Sequence, residues 1–503
     1  MNDTATEVTD LRSKRDEKLS RWSVTAFGLG ASGEAVYLGL FNTFITIFYN
    51  QVIGLSNTLI GTAIMLALVA DAVTDPLVGI ISDKWRSRHG RRHPFLFVAP
   101  IPLALAIYGI FNPPDWLLNE ADNFTNYALF LWLAICTIFS RVFLTLYHIP
   151  HLALGGEMTM NQNERSRLFS ANSAFTYVTG ALFGFVAWSV FFGGEHIRAS
   201  DGASIPGHLD GSSYGPLVLF ACSLVLIAIW TSAAGTYKHV ANLSAPPIQQ
   251  EKISLKLFFK EILSTFKNRN YVFLIVGYFF FMIASGIYDT MGVFMTTYFW
   301  ELVPEQIRWF GLVSAPCALF GALLSPVLMR KFDRKPVMMA SLIGVAIGAQ
   351  LVVNLRLLGF MPENHSPMLL PVLLCNAGFF AFTIGLGAVA VLSMIGDVVD
   401  ESELRTGLRQ EGLFYSARTF FAKASFSFGH LVAGIGLDLF VRFPTAAVPG
   451  EVGADVLFRM GILAGPVMGL AALISLFMYS KYHLTRSMHR KILSDIEARK
   501  QSV

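Results

Sequence analysis

Polar positions in this chain are gathered into short stretches that separate long apolar runs. Those runs fall near residues 22–50, 58–82, 94–112, 126–152, 168–193, 215–236, 271–300, 307–329, 336–358, 367–396, 411–441 and 455–481. Most are long enough, as helices, to cross a hydrocarbon layer of about 30 Å with some tilt. The pattern therefore predicts an all-α membrane protein with twelve transmembrane helices. A lipid-embedded segment must satisfy its backbone hydrogen bonds internally, which leaves helices as the reading for runs of this length.

Composition agrees. Hydrophobic residues make up 54% of the chain and charged residues 14%, against about a quarter charged in a soluble domain. A nucleic-acid-binding protein or a soluble enzyme would need far more charge than this. The first 21 residues are polar and lack a short apolar segment with a small-residue cleavage site, so no cleavable signal peptide is expected. Cys136, Cys222, Cys317 and Cys375 are scattered within apolar runs, which predicts packing residues rather than a disulfide framework or a metal cluster.

Basic residues concentrate in alternate connections. Arg12, Lys14, Arg15, Lys18 and Arg21 precede the first run, Lys84 to Arg92 follow the second, Arg165 and Arg167 the fourth, and Arg330 to Lys335 the eighth. More lie between Lys238 and Arg269 and after Arg486, while the intervening connections are neutral to acidic. The positive-inside rule then places both termini in the cytoplasm. The predicted layout is a cytoplasmic segment (1–21), a six-helix half (22–236), a cytoplasmic linker (237–270) with an amphipathic helix from Ile253 to Phe266, a second six-helix half (271–481) and a cytoplasmic tail (482–503). The halves echo each other: the basic turn 83–92 after the second run has a shorter counterpart, 330–336, after the eighth.

The most informative residues are two carboxylates inside an apolar run. Asp71, Thr74 and Asp75 stand at i, i+3 and i+4, on one side of a helix. An ionised side chain at mid-bilayer costs roughly 2.5 to 3.5 kcal/mol, so paired acids there point to function. Two carboxylates and a hydroxyl suit Na⁺ or a shared proton; an ion pair with a neighbouring helix is the alternative. Lys423 lies deep in the eleventh run and either serves a coupling network or snorkels to the interface.

Several motifs carry a resemblance. Asp71-Ala-Val-Thr74-Asp75-Pro76-Leu-Val-Gly79, Gly90-Arg-Arg-His-Pro94, Tyr147-His-Ile-Pro150 with Asn163-Glu-Arg165, Gly396-Asp397-Val-Val-Asp400, and Gln410-Glu411-Gly412 continuing to Thr419 and Lys423 occur in order along the chain. Together with the two-half layout they resemble the glycoside-pentoside-hexuronide:cation symporters of the major facilitator superfamily, the melibiose-carrier group. The Tyr147 to Pro150 run is also similar to the lysophospholipid symporter branch.

The resemblance implies the major facilitator fold and a cation site at Asp71, Asp75 and Thr145, with Thr74 where melibiose carriers have asparagine. It implies a substrate and coupling role for Lys423 and Thr419. Where melibiose carriers hold sugar with two aspartates, a tryptophan and an arginine, this chain has Ala35, His148, Leu152 and Ser173. Simple galactosides are therefore not the expected solute.

Other polar residues in the runs are read two ways. His148 and His151 bind substrate or pack. Glu34 faces the cavity or sits in a packed kink. Asp289 lines the cavity or bonds a neighbouring helix. Arg141 begins the polar face of the fourth run and is a substrate candidate. Asp83, Arg88, Arg91, Arg92, Glu157, Arg165, Asp397 and Asp400 form a cytoplasmic gate of charge pairs or only set topology.

The expected function is symport, by alternating access, of a small organic solute with Na⁺ or H⁺. A glycoside or uronide is the family default, and an amphipathic or lysolipid-like solute is the alternative. No catalytic motif, cofactor or metal other than the coupling cation is expected. The expected partners are the solute, the cation and the bilayer, with no nucleic acid, for a monomer in a bacterial inner membrane. A sensor that transports nothing would have no use for mid-membrane carboxylates.

Overall fold

The computed structural model describes residues 18–118, 123–159, 161–198, 201–242, 264–408 and 410–501. Among them are twelve helices long and apolar enough to cross a membrane. In the first unit, α1 (Arg21–Ile53), α2 (Asn57–Lys84), α3 (His93–Phe111), α4 (Thr125–Glu157) and α5 (Gln162–Phe191) are followed by α6 (Gly211–Val240). The second carries α7 (Arg269–Phe299), α8 (Pro304–Phe332), α9 (Arg334–Leu357), α10 (Leu369–Thr406), α11 (Glu411–Val441) and α12 (Ala454–Ser480). The chain divides into two compact units, Met1–Gln250 and Glu251–Val503. Most of the expected linker helix, from Ile253 on, lies outside the described residues, as does most of the segment 1–21.

Helix starts follow local chemistry. Ser20, Ser56, Asn161 and Asn268 each accept a bond from a backbone N–H in the first turn of α1, α2, α5 and α7. Asp333, at φ 75°, makes the sharp turn between α8 and α9; its carboxylate accepts from Arg334 N at 2.7 Å and Arg486 N at 2.8 Å. Those bonds hold a backbone conformation that a residue with a side chain rarely adopts.

Three helix limits differ from the apolar runs by five residues or more. α4 continues to Glu157, α5 begins at Gln162 and α10 continues to Thr406. Hydropathy marks where lipid contact ends, whereas helical hydrogen bonding carries on through good helix formers such as Glu and Arg. Glu157, Arg165, Asp397 and Asp400 thus sit on helices rather than in loops. The expected tail contains a further helix, α13 (Arg486–Gln501), packed on α10.

Four spans close in a π-helical turn: α1 at Phe48–Ile53, α5 at Ala187–Phe191, α7 at Met295–Phe299 and α11 at Gly436–Val441. These are the first and fifth helices of each unit. In the first unit α1 packs on α5 and α6, and α2 on α4; in the second α7 packs on α11 and α12, and α8 on α10. Between α5 and α6 lies a two-stranded hairpin, β1 (Glu195–Ile197) and β2 (Ser204–Pro206), antiparallel with His196 opposite Ile205. The four cysteines are free thiols.

Candidate functional site

α2 places Asp71 and Asp75 one turn apart, and α4 brings Thr145 against them. Thr145 Oγ1 lies 2.5 Å from Asp71 Oδ1 and 3.1 Å from Asp75 Oδ1. Asp71 is 3% exposed and Thr145 likewise 3%, while Asp75 is half-buried. A hydroxyl carries one proton and cannot satisfy two carboxylates at once. The cluster therefore sets two carboxylates against the one Thr145 hydroxyl, an all-oxygen arrangement suited to a shared proton or a hard cation. Thr74 turns away and donates to the backbone carbonyl of Asp71 at 3.2 Å. The structure thus brings together three of the four expected cation residues. Pro76, next along α2, has no N–H to give the Ala72 carbonyl one turn back.

A polar face runs along α4 from Thr145 in both directions, with Arg141 one turn before it and His148 one turn after. His148 Nδ1 and Glu34 Oε2 of α1 are 2.9 Å apart. The Arg141 guanidinium sits over two rings of α1, 4.5 Å from the Phe41 centroid and 5.4 Å from that of Tyr37. Cation–π contacts of this kind let a buried cation stay charged. Tyr37 Oη in turn lies 2.9 Å from Ser140 Oγ.

His151 has a different role from His148. Its ring stacks 4.3 Å from Phe27 and 5.2 Å from Tyr147, and its Nε2 is 3.1 Å from Asn172 Oδ1 of α5. It occupies a packing position between α1, α4 and α5. Gly30 makes room for it, since a Cβ there would lie 2.7 Å from His151 Cε1 and 2.3 Å from Tyr147 Oη.

The charged turn after α2 is tied within the first unit. Arg92 is 2.5 Å from Asp83 Oδ1, 2.7 Å from Glu157 Oε1 and 2.6 Å from Ser82 Oγ. Arg91 joins through Glu157 at 2.9 Å. Arg88 is exposed and reaches His89, and Arg165 donates to the Gly156 carbonyl, so neither shares this network's bonds. Glu164 pairs with Arg167 at 3.2 Å and accepts from Leu19 N.

In the second unit Asp397 meets Arg334 at 3.2 Å and His489 at 3.5 Å, and His489 lies 2.9 Å from Asp400. α13 is thereby fastened to the end of α10. On α11, Thr419 is exposed and donates to the Tyr415 carbonyl, and Lys423 is half-buried one turn further on. Arg418 donates to Tyr278 Oη of α7 at 2.6 Å and stands 4.6 Å from that ring's centroid. Asp289 lies beside the buried His430.

Sequence reasoning missed Tyr37, Ser82, His430 and His489. Tyr37 was open to it: it stands three residues after Glu34, on the same helical face. His489 was not, because its carboxylate partners lie about ninety residues away in sequence.

The pattern defining the family described as MFS/sugar transport protein matches residues 26–486. The chain belongs to that family. This carrier is 25% identical to an uncharacterized symporter of Synechocystis sp., over 97% of its own length and 98% of the relative's. It is 26% identical over the full length of both chains to a putative 2,3-dihydroxypropane-1-sulfonate exporter of Salmonella typhimurium. Among solved structures it is similar to the nucleoside transporter NupG, with a TM-score of 0.59, 13% identity, and coverage of 92% of this chain and 100% of that one. The last likeness shows the fold. The carrier is an integral membrane protein of the major facilitator superfamily, and its family is one of transporters rather than enzymes.

Proposed function

We propose that this carrier is a cation-coupled symporter whose coupling site is Asp71, Asp75 and Thr145, and whose solute is a small hydroxylated anion such as a sugar acid or a sulfonate. The observation carrying the first part is the Thr145 hydroxyl set between two carboxylates at 2.5 and 3.1 Å. Two carboxylates gathered around one hydroxyl inside a membrane span favour a bound cation as counter-charge. Because Thr74 turns its hydroxyl to its own helix, the oxygen set is smaller than a well-filled Na⁺ site, and H⁺ is the favoured ion.

The solute assignment rests on Arg141 and His148, which flank Thr145 on one face of α4 and suit an anionic group. The sugar-transport description of the family and the sulfonate named for the Salmonella relative agree with it. The basic connections support a cytoplasmic position for both termini, and the charge networks at Arg92 and Asp397 are the parts of each unit that would rearrange with transport.

Proteoliposomes test the whole reading. Uptake of uronides and small sulfonates should be saturable and driven by an inward proton gradient, with little response to Na⁺. Uptake confined to neutral galactosides or to lysolipids overturns the solute assignment. Accumulation that needs neither ion overturns the coupling site.

A further inference from the structure

The second unit holds an acid and a histidine that the proposed coupling site does not use. His430 of α11 is 3% exposed, and its Nδ1 is 2.6 Å from Thr290 Oγ1 of α7. The same hydroxyl donates to the Gly286 carbonyl at 3.0 Å. Having one proton, Thr290 must accept from His430, so Nδ1 carries the hydrogen of the neutral ring. Nε2 then presents a lone pair, and it faces Asp289 Oδ2 at 3.8 Å. Two acceptors facing at that distance repel until a proton enters between them.

The backbone fixes this geometry. A Cβ on Gly286 would lie 2.3 Å from the Phe426 carbonyl oxygen, and one on Gly429 2.4 Å from that of Ile283. α7 and α11 therefore touch main chain to main chain within a turn of Asp289 and His430, which fixes the separation of the two backbones that carry these side chains.

We propose that Asp289 and His430 form a second proton-binding site, separate from Asp71 and Asp75, in which one proton joins imidazole and carboxylate as an ion pair. The proton comes from water and leaves to water; no other bond changes. Asp289 has Tyr288 beside it on α7, Lys423 and Asp438 lie two turns either way from His430 on α11, and the membrane portions of α10 (369–396) and α12 (460–480) carry no Asp, Glu, Lys or Arg. The proposal stands whether or not the coupling site is assigned correctly, because it concerns different residues in the other unit.

Nitrogen-15 histidine spectra of the purified full-length carrier test it, with the His430→Gln spectrum subtracted to assign the ring. At pH 6 the wild type should show His430 as imidazolium. In Asp289→Asn that signal should fall at least about tenfold, since loss of a partnered charge within 4–6 Å is worth one unit or more. In Asp75→Asn it should be unchanged. Thr290→Ser, which keeps the hydroxyl, should preserve it. A His430 that stays neutral down to pH 5 in the wild type, or an imidazolium signal equal in Asp289→Asn and wild type, overturns the proposal. Should Asp289→Asn fail to fold, Asp289→Glu is the second variant: the proposal requires the imidazolium to persist there, and its loss counts against it.

Discussion

The two halves of this carrier bring their helices together by different means. In the first, glycines make room for side chains: a Cβ on Gly28 would meet the Phe175 ring, one on Gly33 the Ile229 side chain at 2.8 Å, and one on Gly30 the Tyr147 hydroxyl. In the second, Gly286, Gly321, Gly385 and Gly429 make room for backbone, while others such as Gly344 and Gly387 make room for side chains. A Cβ on Gly385 would lie 2.0 Å from the Ala318 carbonyl oxygen, and one on Gly321 2.1 Å from that of Phe382. Side chains can change rotamer to absorb a disturbance, and main chain cannot. The paired acids lie in the half whose span glycines meet side chains first, and Lys423 and Arg418 in the half that has the four main-chain contacts.

The strongest test of that division is functional. Asp75→Asn should abolish uphill accumulation in proteoliposomes, bringing the inside-to-outside ratio to one, while solute binding and folding persist. Lys423→Ala should instead cut uptake at least about tenfold, because removing a cation from the membrane interior leaves its surroundings with unbalanced charge. If Lys423→Ala uncouples and Asp75→Asn merely slows, the roles of the halves are exchanged.

Packing supplies the next. Gly385→Val should lower stability by roughly 3 kcal/mol or more, with a clear fall in the thermal midpoint, while Gly33→Ala should cost under about 1 kcal/mol. Equal losses in the two variants would erase the distinction between adaptable and rigid contacts.

A smaller effect is expected at His148. His148→Ala should weaken solute binding about tenfold, or about 1.4 kcal/mol, and leave proton-driven coupling within twofold, as calorimetry and counterflow can measure.

The smallest concerns the connections between the fifth and sixth helices of each half. In the first half His208 is fully buried against Trp188 and Phe192, and burial pushes its pKa down to about 3, while the corresponding connection 442–453 has no histidine. The folded ring stays neutral while the unfolded chain takes up a proton below about pH 6.5, so stability is lost as pH falls from there toward 3. At pH 5 the loss should be about 2 kcal/mol, seen as a midpoint drop of a few degrees that His208→Phe reduces. Asp210, which hydrogen bonds from Ser212 and His196 hold below the usual carboxylate range despite the opposing effect of burial, contributes only below about pH 4.

Much of this architecture was legible in the chain. Twelve apolar runs became twelve spans, because lipid leaves a long run no other way to satisfy its backbone. Asp71, Asp75 and Thr145 were legible too, the acids through their spacing and the threonine through resemblance. What the sequence could not show were contacts made by folding. Thr74 has the right spacing for the site but spends its hydroxyl on its own helix, and His151 matches His148 in type and face yet is stacked between rings. Spacing tells which residues share a face, and only the neighbouring helix decides what that face meets. Glu157 and Asp400 were read beyond the helices because hydropathy reports lipid rather than hydrogen bonding.

The π-helical closing turns carry a historical consequence. Each holds one more residue per turn than the helix it ends, a conformation rare enough that chance would seldom place it twice at matching positions. It closes the first and fifth helices of both halves, while a further such turn, Leu463–Val467, interrupts α12 without a counterpart in α6. Sequence has drifted widely between the copies, with Phe48-Tyr-Asn-Gln in one and Met295-Thr-Thr-Tyr in the other, yet the extra residue persists. The simplest account is that a six-helix ancestor already had these wide turns when its gene was duplicated, so that the irregularity has outlasted the residues that make it.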